Sequence, residues 1–475
     1  MIPKHILYPV ILGCISITVS FAGLNPEQIA SVTIFASLIV GTLLFWRFRL
    51  AFALVGIAAM LGLGLLNTDT MIEFAGFDMI LFLVGMMIVV GFLEEKKFFE
   101  HLLGKIMKGV GNNPIKLVVI LMLMSALFAA LVDEVTSILF MTATVLHLTG
   151  KLRISAIPLV MMTVFATNIG SSATVVGNPV GVLIAMRADL TFMEFLRWAT
   201  PISIAGLGVA IPLSLLYFRK YISQMGDALR SQKSEDVLVE NSTLTASSSS
   251  SSEVEVSLQK ENFKIPWIIF IGTIAALVAH SPMEESLGLE KNVLLPGVAF
   301  AAAGIVLFLN HSKAREMVEK RVDWWTLAFF IFLFASVGTM KMLGVTTVLA
   351  EGMYDLSGND ETNLYFLFVP VTSILSALMD NVLAVATFIP VVHEFGDMGV
   401  DNYPFWWGML FSGTFFGNLT LIGSTANIVA IGMLERRKRG NITLKEWIKP
   451  GAVISVPTMI LAAMLVFLQI PMMPS

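Results

Sequence analysis

Charged residues, cysteine and nucleotide-binding motifs are scarce or missing in this chain of 475 residues. Only 13% of the residues are charged, against about 25% in a typical soluble domain, while 56% are hydrophobic. The single cysteine, Cys14, excludes a disulfide within the chain. The net charge of −4 gives no sign of a nucleic-acid partner, and the lack of a GxxxxGK(S/T) loop speaks against ATP-driven transport. This composition favours a polytopic membrane protein.

Long apolar segments are abundant, and a helix of about 20 such residues spans the hydrocarbon core of a bilayer. The first segment is predicted to be a retained helix, because it lacks a convincing small-residue cleavage site for a signal peptidase. Two segments, 154–186 and 402–433, are too long for one straight helix and contain Gly and polar residues, so each is predicted to be a broken helix. The predicted crossings, about 11 in number, lie near residues 6–22, 28–46, 48–66, 76–93, 154–186, 200–218, 264–281, 293–310, 324–341, 402–433 and 450–470.

Two further apolar segments, 115–149 and 364–395, carry polar residues at their centres and are also too long for one crossing. Because cytoplasmic loops are enriched in Lys and Arg, the basic residues indicate how these segments are threaded. If each enters and leaves on the same side, all but four of the 30 Lys and Arg residues face one compartment. The sequence therefore predicts two re-entrant hairpins, with the amino terminus in the cytoplasm and the carboxyl terminus outside.

A polar stretch, 221–263, contains the run ASSSSSSEVEVS and is predicted to be a flexible cytoplasmic linker. It separates an amino-terminal helix (1–27) and a first membrane repeat (28–220) from a second repeat (264–475). The two repeats align at a nearly constant offset, and each contains an odd number of crossings, which predicts opposite orientations. Inverted repeats are common in secondary transporters. The aligned pairs are Asp78 with Asp323, Asp133 with Asp380, and Gly177 with Gly423.

Three acids, Asp133, Glu134 and Asp380, lie at the predicted hairpin tips without a Lys or Arg nearby in the sequence. A charged side chain at the bilayer centre costs at least about 2.5–3.5 kcal/mol, so it usually faces a cavity or an ion pathway. An unpaired buried carboxylate binds a cation or takes up a proton. The repeat-related pair, Asp133 and Asp380, is therefore predicted to bind a transported sodium ion and protons alternately. A protonated, purely structural acid is the alternative.

Two polar clusters, 167–181 and 417–427, lie in the middle of the predicted broken helices. Backbone groups freed at such breaks coordinate ions in secondary transporters, whereas small residues alone serve tight helix packing. Together with the hairpin tips, these clusters are predicted to form the ion- or substrate-binding site. The predicted site residues are Asp133, Glu134, Thr136, Asn168, Thr174, Asn178, Asp380, Asn381, Asn418, Thr420, Ser424, Thr425 and Asn427.

The segments LVDEVTSILFMTATV, TNIGSSATVVGNPVGVLIA, ALMDNVLAVATFIPVV and GNLTLIGSTANIVAIG resemble the ion transporter superfamily. The resemblance is strongest to its arsenite-permease/NhaD-type sodium–proton antiporter branch, often called citrate-transporter-like, and covers nearly the whole chain except the serine run. It implies a homodimer that works as an elevator-type transporter. The expected fold is thus an all-α polytopic membrane protein with two inverted repeats, two re-entrant hairpins and two broken helices.

This chain departs from the pattern of that branch at two places. That branch typically has Asp-Asn-Val-Thr at both hairpin tips, whereas Glu134 replaces Asn at the first tip of this chain. It often has Gly-Asp-Pro-Pro-Asn at the first broken helix, where this chain has Gly177, Asn178 and Pro179 followed by Val180 and Gly181, so one acid is lost.

The function expected from these features is sodium–proton antiport across the cytoplasmic membrane by alternating access. The transported species would be a sodium ion and a proton, with the lipid bilayer and a second copy of the chain as partners and no cofactor. An enzyme is not expected. The alternative is a transporter of a small anion or oxyacid, such as arsenite, silicic acid, citrate or another carboxylate, coupled to protons or sodium. Three carboxylates at close range would repel a dianion, which lowers the dicarboxylate option.

Overall fold

The computed structural model describes residues 3–21, 23–107, 113–231 and 263–474, and every regular element in these ranges is a helix. The helices of the first half are Lys4–Ser20, Pro26–Leu44, Arg49–Gly62, Thr68–Phe74, Phe77–Glu95, Phe98–Met107, Pro114–Leu131, Glu134–Lys151, Ile157–Ser171, Pro179–Arg187, Phe192–Tyr217 and 219–231. Those of the second half are Lys264–Leu287, Leu294–Leu309, Ala314–Arg321, Trp324–Met342, Val345–Leu356, Glu361–Leu378, Asn381–Asp397, Tyr403–Thr414, Thr425–Arg436 and Leu444–Gln469.

The order of these helices recurs in the two halves. From Pro26–Leu44 to Phe192–Tyr217, each helix of the first half has a counterpart of similar length at the same place in the second half. The internal repeat inferred from the sequence therefore reappears as a repeat of elements. The opposite orientation of its two copies stays a prediction.

Eight helices in the described ranges are long and apolar enough to cross a membrane, or nine if the bent pair formed by Leu294–Leu309 and His311–Arg321 counts as one span. They include Pro114–Leu131 and Glu361–Leu378, the first arms of the predicted hairpins. The amino-terminal helix Lys4–Ser20 is apolar but shorter. The chain is thus an all-helical polytopic membrane protein, and the count of eleven crossings stays a prediction.

Burial distinguishes inner from outer helices. Phe77–Glu95 and Trp324–Met342, which occupy equivalent places in the two halves, are the most buried of the eight candidate spans. Outer helices expose large apolar side chains, such as Phe308 at 86% and Ile268 at 68% of their surface. In a membrane such side chains contact lipid, where their exposure carries no cost.

The flexible linker predicted for 221–263 begins too early, because residues up to 231 are helical. Residues 219–231 form a helix in which Tyr221, Ile222 and Met225 are buried, and the Tyr221 hydroxyl donates a hydrogen bond of 2.7 Å to the backbone oxygen of Ser155. The prediction was wrong for residues 221–231, because these apolar side chains form a helical stripe that packs on the membrane helices. Residues 232–262, which contain the serine run, lie outside the described residues.

Candidate functional site

The first hairpin, Pro114–Leu131 followed by Glu134–Lys151, turns at Asp133. The Asp133 carboxylate accepts the backbone N–H of Val135 at 2.7 Å and that of Thr136 at 3.3 Å, as a helix cap does. The Ser137 hydroxyl donates to the backbone oxygen of Ser125 at 3.0 Å. In one continuous helix these residues would be about 18 Å apart, so the chain doubles back at this tip. Entry and exit on one side of the bilayer stay a prediction.

The second hairpin has the same design at its tip. Asp380 separates Glu361–Leu378 from Asn381–Asp397, and its carboxylate accepts the N–H of Val382 at 3.0 Å. Its other oxygen accepts the Thr425 hydroxyl at 2.6 Å. Asp380 is therefore joined to a broken helix, whereas the partners of the Asp133 carboxylate all belong to its own helix.

Both predicted broken helices are interrupted in the middle. Ile157–Ser171 and Pro179–Arg187 flank a short 3₁₀ turn, and Asn178 caps the second piece by accepting the N–H of Gly181 at 2.7 Å. Tyr403–Thr414 and Thr425–Arg436 flank a similar turn, where the Ser424 hydroxyl accepts the N–H of Ala426 at 3.1 Å. These caps satisfy helix amino termini that would otherwise be unpaired inside the protein.

Two equivalent threonines tie each break to the hairpin of its own half. The Thr174 hydroxyl donates to the backbone oxygen of Ala130, and the Thr420 hydroxyl donates to that of Ala377. Both carbonyls belong to the last turn of a hairpin's first helix, where no intrahelical N–H is available. The hairpin tips and the helix breaks are thus brought together in the same way in both halves.

A buried asparagine cluster joins the two halves. The Asn168 amide donates to the side-chain oxygens of Asn418 at 2.7 Å and Asn427 at 2.8 Å, and its own oxygen accepts the Ser424 hydroxyl at 3.0 Å. The Asn427 amide in turn donates to the backbone oxygens of Gly417 and Thr420. All of these amides have partners, which makes this part of the site a rigid connection.

Glu134 lies between the two halves and is only 1% exposed. One carboxylate oxygen accepts the Ser171 hydroxyl and the other accepts the Asn381 amide, both at 3.4 Å, which is long for a hydrogen bond. None of the ion pairs in the described ranges includes Glu134. Asp380, which is 2% exposed, directly precedes Asn381, whose amide contacts Glu134. The site therefore contains two buried acids from different halves.

The structure thus places the predicted residues in distinct roles. Asn381 contacts Glu134 and Thr425 contacts Asp380, and these two acids are called the acid pair below. Asp133 is half-buried and accepts the backbone N–H of Thr136. Ser171 is a site residue that was not predicted; it contacts Glu134 and accepts the Asn178 amide at 2.9 Å, and so links the two. Ser171 lies inside the polar run 167–181, and that position was the available signal. The described ranges contain no group of three or more His, Cys, Asp or Glu side chains that could hold a metal ion. A sodium site built mainly from amide, hydroxyl and carbonyl oxygens stays a prediction.

Two cavities lie toward opposite ends of the buried helix Trp324–Met342. The first, here called the arginine cavity, measures about 720 Å³ and is lined by Arg47, Arg49, Thr326 and Arg436 among others. The second, called the His393 cavity, measures about 460 Å³, and its lining residues include Glu73, Leu183, Arg187, Gly338, Lys341 and His393. Neither lining includes Glu134, Asn168 or Asn381.

Comparisons with known proteins agree on one family. A family profile described as "Citrate transporter" (CitMHS) matches residues 37–355 and 337–474. The uncharacterized transporter Rv2684 of Mycobacterium tuberculosis is 31% identical over 88% of this chain and 92% of its own length. The human P protein is 25% identical over 78% of this chain, which spans about half (51%) of that protein.

A solved structure supports the fold. The YdaH transporter of Alcanivorax borkumensis superposes with a TM-score of 0.56 at 16% identity, covering 86% of this chain and 90% of that one. At that identity the likeness concerns the fold alone. The comparisons identify a transporter family, and the narrower arsenite-permease/NhaD-type branch stays a prediction.

Proposed function

The chain belongs to the citrate transporter family, and we propose that it is a secondary active transporter that exchanges sodium ions for protons. The acid pair of Glu134 and Asp380 carries this proposal. Both carboxyls are buried, they come from different halves, and neither is in an ion pair of the described ranges. Two neighbouring buried carboxylates repel each other unless a proton or a cation neutralises one of them. A sodium ion and a proton therefore compete for the same oxygens.

We assign the first half's transport carboxyl to Glu134 instead of Asp133. Asp133 uses its carboxylate to cap its own helix, whereas Glu134 contacts Ser171 and the second hairpin through Asn381. Oxygen atoms are the ligands that hard cations such as sodium prefer. The side-chain oxygens of Asn381, Thr425 and Ser171 would complete the shell around an ion held by the acid pair.

The two cavities support alternating access. The arginine cavity reaches Leu421 and Ile422 at the second helix break, and the His393 cavity is lined by Leu183 of the first broken helix. They lie toward opposite ends of Trp324–Met342, with the acid pair contributing to neither lining. This arrangement suits a site that opens to one face at a time, and an elevator-type movement of the hairpins and broken helices is part of the proposal.

A carrier of a small anion or oxyacid is the second candidate. It is favoured by the description of the family, "Citrate transporter", and by the arginine cavity. In that case Glu134 and Asp380 would handle only the coupling proton or sodium ion, and the anion would bind elsewhere.

Transport by purified protein in liposomes that contain a pH-sensitive dye separates the two candidates. Sodium, lithium, arsenite and citrate are added in turn. We expect sodium to evoke proton movement that is lost in Glu134→Gln and Asp380→Asn. Glu285→Gln and Asp355→Asn change exposed acids and serve as matched controls. Proton movement evoked only by an anion would overturn sodium–proton antiport in favour of the second candidate.

The proposal includes the cytoplasmic membrane as location, a cytoplasmic amino terminus, an external carboxyl terminus and a homodimer. The dimer rests on the resemblance to the ion transporter superfamily. Light scattering of the purified protein in detergent, corrected for the bound detergent, would give twice the chain mass of 51.8 kDa for a dimer.

A further inference from the structure

Arg49 is a buried arginine that the carboxyl site does not use. It is 5% exposed at the start of the helix Arg49–Gly62, and it lines the arginine cavity. Its Nη2 donates to the Thr326 hydroxyl at 2.6 Å, and its guanidinium lies 4.4 Å from the ring centre of Trp46 and 5.0 Å from that of Phe329. Its Nη1 has no hydrogen-bond partner in the described ranges.

An unpaired buried N–H of a charged group destabilises the fold, because it has lost its hydrogen bonds to water. Such a group is retained where a ligand satisfies it. The planar guanidinium presents parallel N–H groups that match the two oxygens of a carboxylate or phosphate. The cavity volume of about 720 Å³ lies within the range of small-molecule sites, roughly 300–1,000 Å³.

The charge around the cavity favours an anion. Three guanidinium groups, those of Arg47, Arg49 and Arg436, line it, against two carboxylates, those of Asp323 and Glu435. Asp323 already accepts both the N–H and the hydroxyl of Thr326, at 3.1 and 2.6 Å, so each of its carboxylate oxygens has a hydrogen-bond donor. No ion pair of the described ranges includes any of the three arginines.

We propose that the arginine cavity binds an oxyanion, a carboxylate or phosphate group, between Arg49, Arg47 and Arg436. Arg49 Nη1 and the two exposed arginines would bind the oxygens, while Trp46 and Phe329 hold the Arg49 side chain in place.

The group has two sources, a free solute or an anionic lipid headgroup, because the exposed Trp325 also lines the cavity and tryptophan is enriched at membrane interfaces. Binding is measured with full-length protein in nanodiscs of zwitterionic phosphatidylcholine. Inorganic phosphate and citrate are titrated at constant ionic strength set with chloride, and the melting temperature is followed. Parallel nanodiscs contain phosphatidylglycerol.

For the wild type we expect the melting temperature to rise saturably with phosphate or citrate, or to rise with phosphatidylglycerol instead of these solutes. Stabilisation by phosphatidylglycerol alone identifies the lipid headgroup as the source. In Arg49→Gln the dissociation constant should rise roughly tenfold to a hundredfold, because a charge-assisted hydrogen bond of about 1.5–3 kcal/mol is lost. Arg49→Lys keeps the positive charge but lacks the planar guanidinium, so its dissociation constant should lie between those of the wild type and Arg49→Gln.

Arg436→Gln keeps the test decisive if Arg49 variants fail to fold, because Arg436 is exposed. It should weaken binding severalfold, whereas Arg315→Gln, at an exposed arginine outside the cavity lining, should not. Equal affinity in Arg436→Gln and the wild type, equal affinity in a folded Arg49→Gln, or no saturable response to phosphate, citrate or phosphatidylglycerol would each overturn the oxyanion site. All of these are binding measurements, so they stand whether or not sodium moves protons.

Discussion

Replacing Glu134 with Gln separates the chemistry of this carboxyl from its place in the fold. Gln has the same shape, so its oxygen can accept the Asn381 amide as Glu134 does at 3.4 Å. Its NH₂ group can donate to the Ser171 hydroxyl, which donates to the backbone oxygen of Asn168 and accepts the Asn178 amide. The Asn381 amide and the Ser171 hydroxyl therefore each keep a hydrogen-bond partner. The two contacts that change are long, so we expect the free energy of unfolding to change by no more than about 1 kcal/mol.

Truncation to Ala is the contrasting change at the same position. Glu134→Ala would leave the Asn381 amide without this partner and would leave a void in a fully buried place, whereas the Ser171 hydroxyl keeps the backbone oxygen of Asn168 as its acceptor. An unsatisfied polar group costs about 1–3 kcal/mol, and the void adds to that cost. We therefore expect Glu134→Ala to be destabilised by roughly 2–5 kcal/mol. Thermal unfolding of the two purified variants beside the wild type measures the difference.

Transport by Glu134→Gln should be lost although its stability is retained. Glu134→Gln cannot bind a proton or neutralise a cation, so sodium-evoked proton movement in liposomes should fall by at least about a hundredfold, although the protein melts as the wild type does. The assay uses equal amounts of reconstituted protein and the Glu285→Gln control. Wild-type exchange by a normally folded Glu134→Gln would refute the reasoning, because the acid would then have no part in proton coupling.

Three further predictions follow from the contacts of the site. Asn168→Ala removes three side-chain hydrogen bonds between the halves and should lower the free energy of unfolding by about 3–5 kcal/mol. A melting temperature equal to that of the wild type would contradict the conclusion that the asparagine cluster connects the halves. Thr425→Val removes the hydroxyl that donates to Asp380 at 2.6 Å, so the sodium concentration at half-maximal exchange should rise about fivefold to tenfold, and an unchanged value would remove Thr425 from the site. Single cysteines placed at the exposed Lys116 and Lys151 in a cysteine-free background should be labelled from the same side of the membrane, and labelling from opposite sides would exclude the re-entrant first hairpin.

Local features of the site were predictable because they depend on neighbours in the chain. Asp133 and Asp380 begin helices, and a carboxylate there accepts the N–H groups two or three residues on. Gly, Pro and Asn in mid-run mark the breaks at Asn178 and Ser424, where a helix has to end and another has to be capped. Hydropathy predicts the membrane helices because an unpaired backbone is excluded from lipid.

The role of Glu134 could not be read from its alignment. Adjacent residues of a helix point about 100° apart, so Asp133 and Glu134 face different neighbours, and only the packing of the hairpin decides which one meets Asn381. Repeat alignment favoured Asp133, because its counterpart Asp380 is also an acid. The helix 219–231 was missed for a related reason: its apolar stripe is short and amphipathic, and the membrane helices that cover it lie far away in the chain.

Residues close together in the chain specify a helical membrane protein with a recurring order of helices, and they specify where its helices turn or break. Those properties follow from hydropathy, helix capping and backbone hydrogen bonding, each of which acts over a few residues. Only the packing of distant segments places Glu134 against Asn381 of the other half, and leaves Arg49 at a cavity with its Nη1 unpaired in the described ranges. These contacts join residues that are hundreds of positions apart, so their geometry depends on how whole helices pack.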